Sequence, residues 1–177
     1  MMTRSSKFFL AVIAAVFVGL ATQAEDVARI HVDISKVKVS ADLQPVDGIT
    51  SSGQPNADQF ALVAAAGYVA IIDLRGAEEG RGMDEAAVLG ELNIEYVTLP
   101  LIGAEAINME NAAKLDRILA GYDGPVLVHC GSGNRVGAVL ALRESLRGAN
   151  DAEALVFGKA AGLTGLESVV KERLAAN

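Results

Sequence analysis

The stretch that most restricts the possible folds is Tyr68-Val69-Ala70-Ile71-Ile72-Asp73-Leu74, a nearly unbroken apolar run of strand length. A half-buried strand alternates between apolar and polar, and a surface helix repeats every three to four residues. A run with neither period has to be covered on both faces, as a central parallel strand is. Helical patterns flank it. Asn56 is followed three residues later by Gln59, a capping-box arrangement, and Phe60, Leu62, Val63 and Ala66 form an apolar face that ends at Gly67. Asp84 to Leu92 reads as a short helix and Ile94 to Leu99 as a strand ending at Pro100. Asn108 opens a helix with Ala112, Leu115, Ile118 and Leu119 at helical spacing, and Val126-Leu127-Val128 is again a buried strand. Helices over Val136 to Leu146, stopped by Gly148, then Asp151 to Ala161 and Leu166 to Leu174 complete the chain. Strands alternating with helices predict an α/β fold, a central mostly parallel sheet flanked by helices.

Two segments before this pattern read differently. Ile30-His31-Val32-Asp33-Ile34 and Val37-Lys38-Val39 alternate with period two, which predicts an edge strand or hairpin with His31 and Asp33 facing solvent. Pro45 to Pro55, with Asp47-Gly48 and Ser51-Ser52-Gly53, reads as a turn-rich connection.

The N-terminus carries an address. Arg4 and Lys7 precede the apolar run Phe8 to Leu20, and Ala21-Thr22-Gln23-Ala24 places small residues around a cleavage point after Ala24. This predicts a signal peptide over residues 1–24, one domain over 25–177 and a periplasmic or secreted protein. The apolar run is shorter than the roughly 20 residues of a spanning helix, so an uncleaved anchor is the lesser alternative. The whole chain has formal charge −7, and without Arg4 and Lys7 it is −9. Such an acidic surface repels nucleic acid and makes any phosphate site a local exception. The single cysteine, Cys130, excludes a disulfide within the chain, and two histidines leave no metal-binding cluster by spacing. No cofactor is expected.

Cys130 stands at a strand-to-helix turn, His129-Cys130-Gly131-Ser132-Gly133-Asn134-Arg135-Val136-Gly137. Such a turn aims backbone N–H groups and the positive end of the following helix into one concavity, which suits an anion held by Gly131, Ser132, Gly133 and Asn134. The same field favours a thiolate, and Arg135 adds a planar fork for a bidentate oxyanion. His129 stands next to the thiol in a supporting position. Ligands of open α/β sheets collect at the carboxyl ends of strands, which puts Arg75, after Leu74, near the same crevice; the other reading is an ion pair with Glu78 or Glu79. The glycine-rich, charged stretch from Gly76 to Gly82 reads as a flexible loop.

The strand, the His-Cys pair, the glycine at the third position after Cys130 and the closing arginine resemble the signature loop of protein tyrosine and dual-specificity phosphatases. The loop is one residue shorter than theirs, and Val136 stands where they carry Ser or Thr. The short Cys-x-x-Gly-x-Arg spacing is also that of rhodanese sulfurtransferases. From Ile49 to Leu146 the chain is similar to the bacterial beta-lactamase-hydrolase-like, phosphatase-like domain family, through Ser52-Gly53-Gln54-Pro55, Gly67 to Arg75 with a nearby Glu, Tyr96 to Pro100 and the cysteine loop. The resemblance implies a hydrolase that acts on a phosphorylated substrate or small phosphoester through a phosphocysteine, with Gln54 close to the substrate. It also implies an acid in the loop Leu101 to Ile107. No aspartate is there, and Glu105 is the candidate to protonate the leaving group. Two alternatives stay open: a sulfurtransferase carrying a persulfide on Cys130, and a non-catalytic anion-binding or redox-responsive module.

Overall fold

The computed structural model describes residues 29–177; the signal peptide expected over residues 1–24 lies outside the described residues. Five strands form one sheet: β1 (His31–Val32), β2 (Ile49–Ser52), β3 (Ala70–Asp73), β4 (Glu95–Thr98) and β5 (Val126–His129). Their order is β1-β2-β5-β3-β4 and every pairing is parallel. The helices among the described residues are α1 (Ala57–Ala65), α2 (Glu85–Glu91), α3 (Met109–Leu119), α4 (Asn134–Leu146), α5 (Asp151–Ala160) and α6 (Glu167–Ala175). The expected α/β architecture is the observed one. Among the described residues no helix is long and apolar enough to cross a membrane.

Alternation along the central strands splits the interior into two cores. Ala70, Ile72, Val126 and Val128 pack with the residues of α3 to α6, whereas Ile71 and Leu127 pack with Phe60 and Val63 of α1 and Leu89 of α2. Both faces are apolar because both are covered, which is why the strands read as unbroken runs. The local helix signals hold. Asn56 Oδ1 accepts from Gln59 N at 2.9 Å and Gln59 Oε1 accepts from Asn56 N at 2.8 Å, while Gly67 (φ +83°) takes the left-handed conformation that ends the segment. Asp84, Asn108 and Asn150 cap α2, α3 and α5.

Two expectations hold only in part. The stretch from Ile30 to Val39 supplies the edge strand, β1, but no hairpin, because β1 runs parallel to β2 and the chain then winds into short 3₁₀ turns. Lys38 and Val39 donate their N–H groups to the Asp42 carboxylate instead of to a partner strand. The turn-rich connection from Pro45 to Pro55 contains β2, whose Thr50, Ser51 and Ser52 are fully buried. Hydroxyls are tolerated there because each has a partner: Thr50 Oγ1 with the Tyr68 hydroxyl, Ser51 Oγ to Ala161 O (2.6 Å), Ser52 Oγ to Gly53 O (2.8 Å).

Candidate active site

The cysteine loop leaves the end of β5, the middle strand, with β2 on one side and β3 on the other. Cys130 is buried, and the Gly133 N–H points at its Sγ from 3.2 Å. Gly133 holds φ +86°, which turns the chain into α4 and aims that amide inward. The helix begins at Asn134, so Arg135 stands in its first turn and reaches back over the loop. The Cys130 sulfur is near enough to add to the raised pKa of Arg135, whose largest cause is hydrogen bonding to Glu79.

Glu79 is the site residue that the pattern of residues concealed. Its carboxylate takes both terminal nitrogens of Arg135, Nη1 to Oε1 at 2.6 Å and Nη2 to Oε2 at 2.5 Å, and Oε1 also accepts from Gly76 N at 2.8 Å. Nη1 further lies 3.3 Å from Leu101 O and 3.5 Å from Leu74 O. These contacts use the end of the guanidinium fork. Among the described residues no oxygen bonds Nε, so the Nε edge of the fork is not held by a carboxylate, and the other group acting on the guanidinium is the Cys130 sulfur. The Arg135 hydrogen bond holds the Glu79 carboxyl at about 2, well below the usual carboxylate range. Its only sequence signal was as a neighbour for Arg75.

Arg75 is elsewhere. Its side chain is 1% exposed and turned to the α1/α2 side, with Nε to Asp73 Oδ1 at 2.9 Å, Nη2 to Asp73 Oδ2 at 3.1 Å and Nη2 to Glu85 Oε1 at 2.5 Å. It neither faces the crevice nor pairs with Glu78 or Glu79, because β3 alternation sends Asp73 and Arg75 to the opposite face from Ile72 and Leu74. The following loop is stapled rather than flexible. Arg81 Nε bonds Asp73 Oδ2 at 3.1 Å and Arg81 Nη1 bonds the carbonyls of Gly76, Ala77 and Glu79 at 3.1, 3.3 and 3.2 Å.

His129 lies beneath the loop on that same buried side, edge-on to Phe60. Among the described residues neither ring nitrogen has a hydrogen-bond partner; Nε2 is 3.7 Å from Glu85 Oε2 and 3.9 Å from Asp73 Oδ1. Burial lowers its pKa to about 4, against the pull of Asp73, so the ring is neutral at pH 7. Asp73, Glu85 and His129 bring ligand atoms within 4.8 Å of one another, a grouping that spacing alone does not show. The Arg75 guanidinium, bonded to both carboxylates, already supplies the positive charge that a metal would bring there.

The other candidates divide. Gln54 donates its backbone N–H to Gly131 O at 3.4 Å and its side-chain amide to Arg81 O, so it braces the loop walls. Gly53 pairs with Ser132, and a Cβ on Gly53 would come within 3.2 Å of Gly131 O. Asn134 turns its side chain away, accepting from Thr164 N at 2.8 Å and Leu166 N at 3.4 Å. Glu105 is 93% exposed and lies 3.4 Å from Arg173 Nη2, with its carbonyl held by Asn108. His31, read as solvent-facing, is half-buried against Gly133.

A parallel sheet flanked by helices, with a cysteine loop at the end of its middle strand, is a cysteine-phosphatase-like fold, and comparison with known proteins agrees. The chain is 40% identical over 101 residues to a beta-lactamase hydrolase-like protein of Xylella fastidiosa, a match covering 55% of this chain and 23% of that protein. It therefore spans about a quarter of the length of the curated relatives it matches. Its fold superposes on a P. aeruginosa TpbA variant crystallised with pTyr (TM-score 0.57, 22% identity, covering 74% of this chain and 86% of that one). It also superposes on PTPMT1 (TM-score 0.56, 17% identity, 72% and 90%). No family model matches the chain.

Proposed function

We propose that this chain is a cysteine-dependent phosphatase acting on phosphoesters through a phosphocysteine. The observation that carries the reading is the Gly133 amide on Cys130 Sγ together with an arginine whose fork is fixed at one end by Glu79. The thiolate attacks phosphorus, an S–P bond forms and the ester P–O bond breaks. The departing oxygen takes a proton, and water then displaces the cysteine to release phosphate. Arg135 and the loop amides hold the non-bridging oxygens as charge builds on them. The pTyr bound in the TpbA variant supports a phosphorylated substrate. Glu105 is the proposed proton donor; reaching an ester oxygen from its present contact requires it to leave Arg173. The proposed setting is the exported one implied by residues 1–24.

The test is turnover of an aryl phosphate by the purified protein and by Cys130→Ser. Wild-type turnover with none in the folded variant is expected; equal rates would end the thiolate mechanism. A cyanide-releasable persulfide formed from thiosulfate, without phosphoester turnover, would favour the sulfurtransferase instead.

A further inference from the structure

We infer that His31 is a positioning residue that holds the cysteine loop from behind, and that anion affinity depends on it. The inference rests on the cradle reading above. The Gly133 N–H faces the Cys130 sulfur, and the direction in which a side chain would leave Gly133 is occupied by the His31 ring. A Cβ there would fall 2.7 Å from Nδ1 and closer still to Cε1. The N–H and Cβ bonds leave Gly133 in different directions, so the imidazole backs the loop on a side other than the one from which its amide meets the sulfur.

The same ring closes off a second glycine. Gly162, at φ +103° in the connection between α5 and α6, would place a Cβ 2.7 Å from His31 Nδ1 and 3.1 Å from Gly133 O. His31 Nδ1 lies 3.3 Å from Ser51 Oγ, whose hydroxyl donates to Ala161 O at 2.6 Å. One imidazole therefore wedges apart β2, the cysteine loop and the α5–α6 connection. Both glycines meet two demands at once, positive φ and close approach of a ring. Beside the wedge is a cleft of about 300 Å³ lined by His31, Ser35, Gln54, Gly131 and Ser132, so close packing does not replace the ring if it is removed. Gly133 would then be free to relax backward and carry its amide off the sulfur. Misplacement on the order of 1 Å costs roughly 10²-fold in a site that works by geometry.

The experiment measures vanadate protection of Cys130 against alkylation, which requires no turnover and no known substrate. Compared are the wild type and the His31→Ala, His31→Asn and His31→Gln variants, with folding checked by circular dichroism. Asn places a polar atom near the position of Nδ1, whereas Gln places it near Nε2. His31→Ala should weaken protection about 10- to 100-fold, and Gln, which reaches the Cε1–Nε2 edge that backs Gly133, should recover more of that loss than Asn, which ends near Nδ1. Wild-type affinity in a folded His31→Ala protein would overturn the inference. If the alanine variant does not fold, Asn and Gln decide, and equal vanadate affinity in those two overturns it. Absence of protection in the wild type would instead remove the cradle reading itself.

Discussion

The two flanks of the cysteine loop are built from opposite materials. On the β3 side the loop meets charge: Glu79 on Arg135, Arg81 across the Gly76 turn, and beneath them Arg75 between Asp73 and Glu85. On the β2 side it meets neutral groups: Gly53, the hydroxyls of Ser51 and Ser52, and the His31 ring. A neutral wall imposes shape without charge. A charged wall orients an arginine but couples the site to pH and to every neighbouring ion. The flanks should therefore fail differently.

The largest difference is expected in stability. Arg75→Ala would leave Asp73 and Glu85 buried without their cation, and breaking such a buried set costs about 3–5 kcal/mol. Ser51→Ala removes one donor and orphans the Ala161 carbonyl, a loss of about 1–3 kcal/mol. Urea unfolding of both variants measures the gap. A Ser51→Ala loss equal to or greater than that of Arg75→Ala would erase the contrast between the flanks.

The pH dependence should come next. His129 titrates at 6.5 when unperturbed and at about 4 in the folded protein, chiefly because burial disfavours the imidazolium. The unfolded chain then binds the proton first, so stability is full above pH 6.5 and falls by about 3 kcal/mol as pH drops toward 4. Below that, Asp73 adds a second loss toward pH 2. Its carboxyl is pushed up by burial but held at about 2 by Arg75 and its other partners. The Glu85 carboxyl, raised by burial against its Arg75 bond, works the other way. Stability of His129→Gln measured across pH 4 to 6.5 isolates the imidazole. A slope as steep as the wild type's would assign the effect to the carboxylates.

What could be read from the chain follows from the range of the forces involved. The Asn56/Gln59 cap, the apolar strands and the cysteine turn are determined within a few residues, and they stand where the pattern puts them. Strand β2 was hidden because its hydroxyls are satisfied by partners 18 and 110 positions away, at Tyr68 and Ala161. Period two puts Ile30, Val32 and Ile34 on one face, but Ile30 packs in the core on the α3–α6 side while Val32 and Ile34 pack in the other, and the pattern cannot know that the α5–α6 connection covers His31. Glu79 escaped for the same reason: its arginine is 56 residues on, while the nearer Arg75 is taken by Asp73 and Glu85.

The smallest stability effect and the sharpest test of the charged flank belong to Glu79. Its side chain is 39% exposed, so shortening it should change stability by less than about 1 kcal/mol. Its effect on Arg135 is another matter. Glu79→Asp keeps the charge, so the field at the cradle is nearly unchanged, but it withdraws the carboxylate by one methylene from a two-point contact made at 2.5 and 2.6 Å. If the carboxylate serves to fix the fork, vanadate affinity for the cradle should drop about tenfold, since orientation rather than charge has been lost. If it instead competes with the ligand for Arg135, retracting it should raise that affinity. The sign of the change, measured on a variant whose unfolding curve matches the wild type, separates an orienting carboxylate from an occluding one.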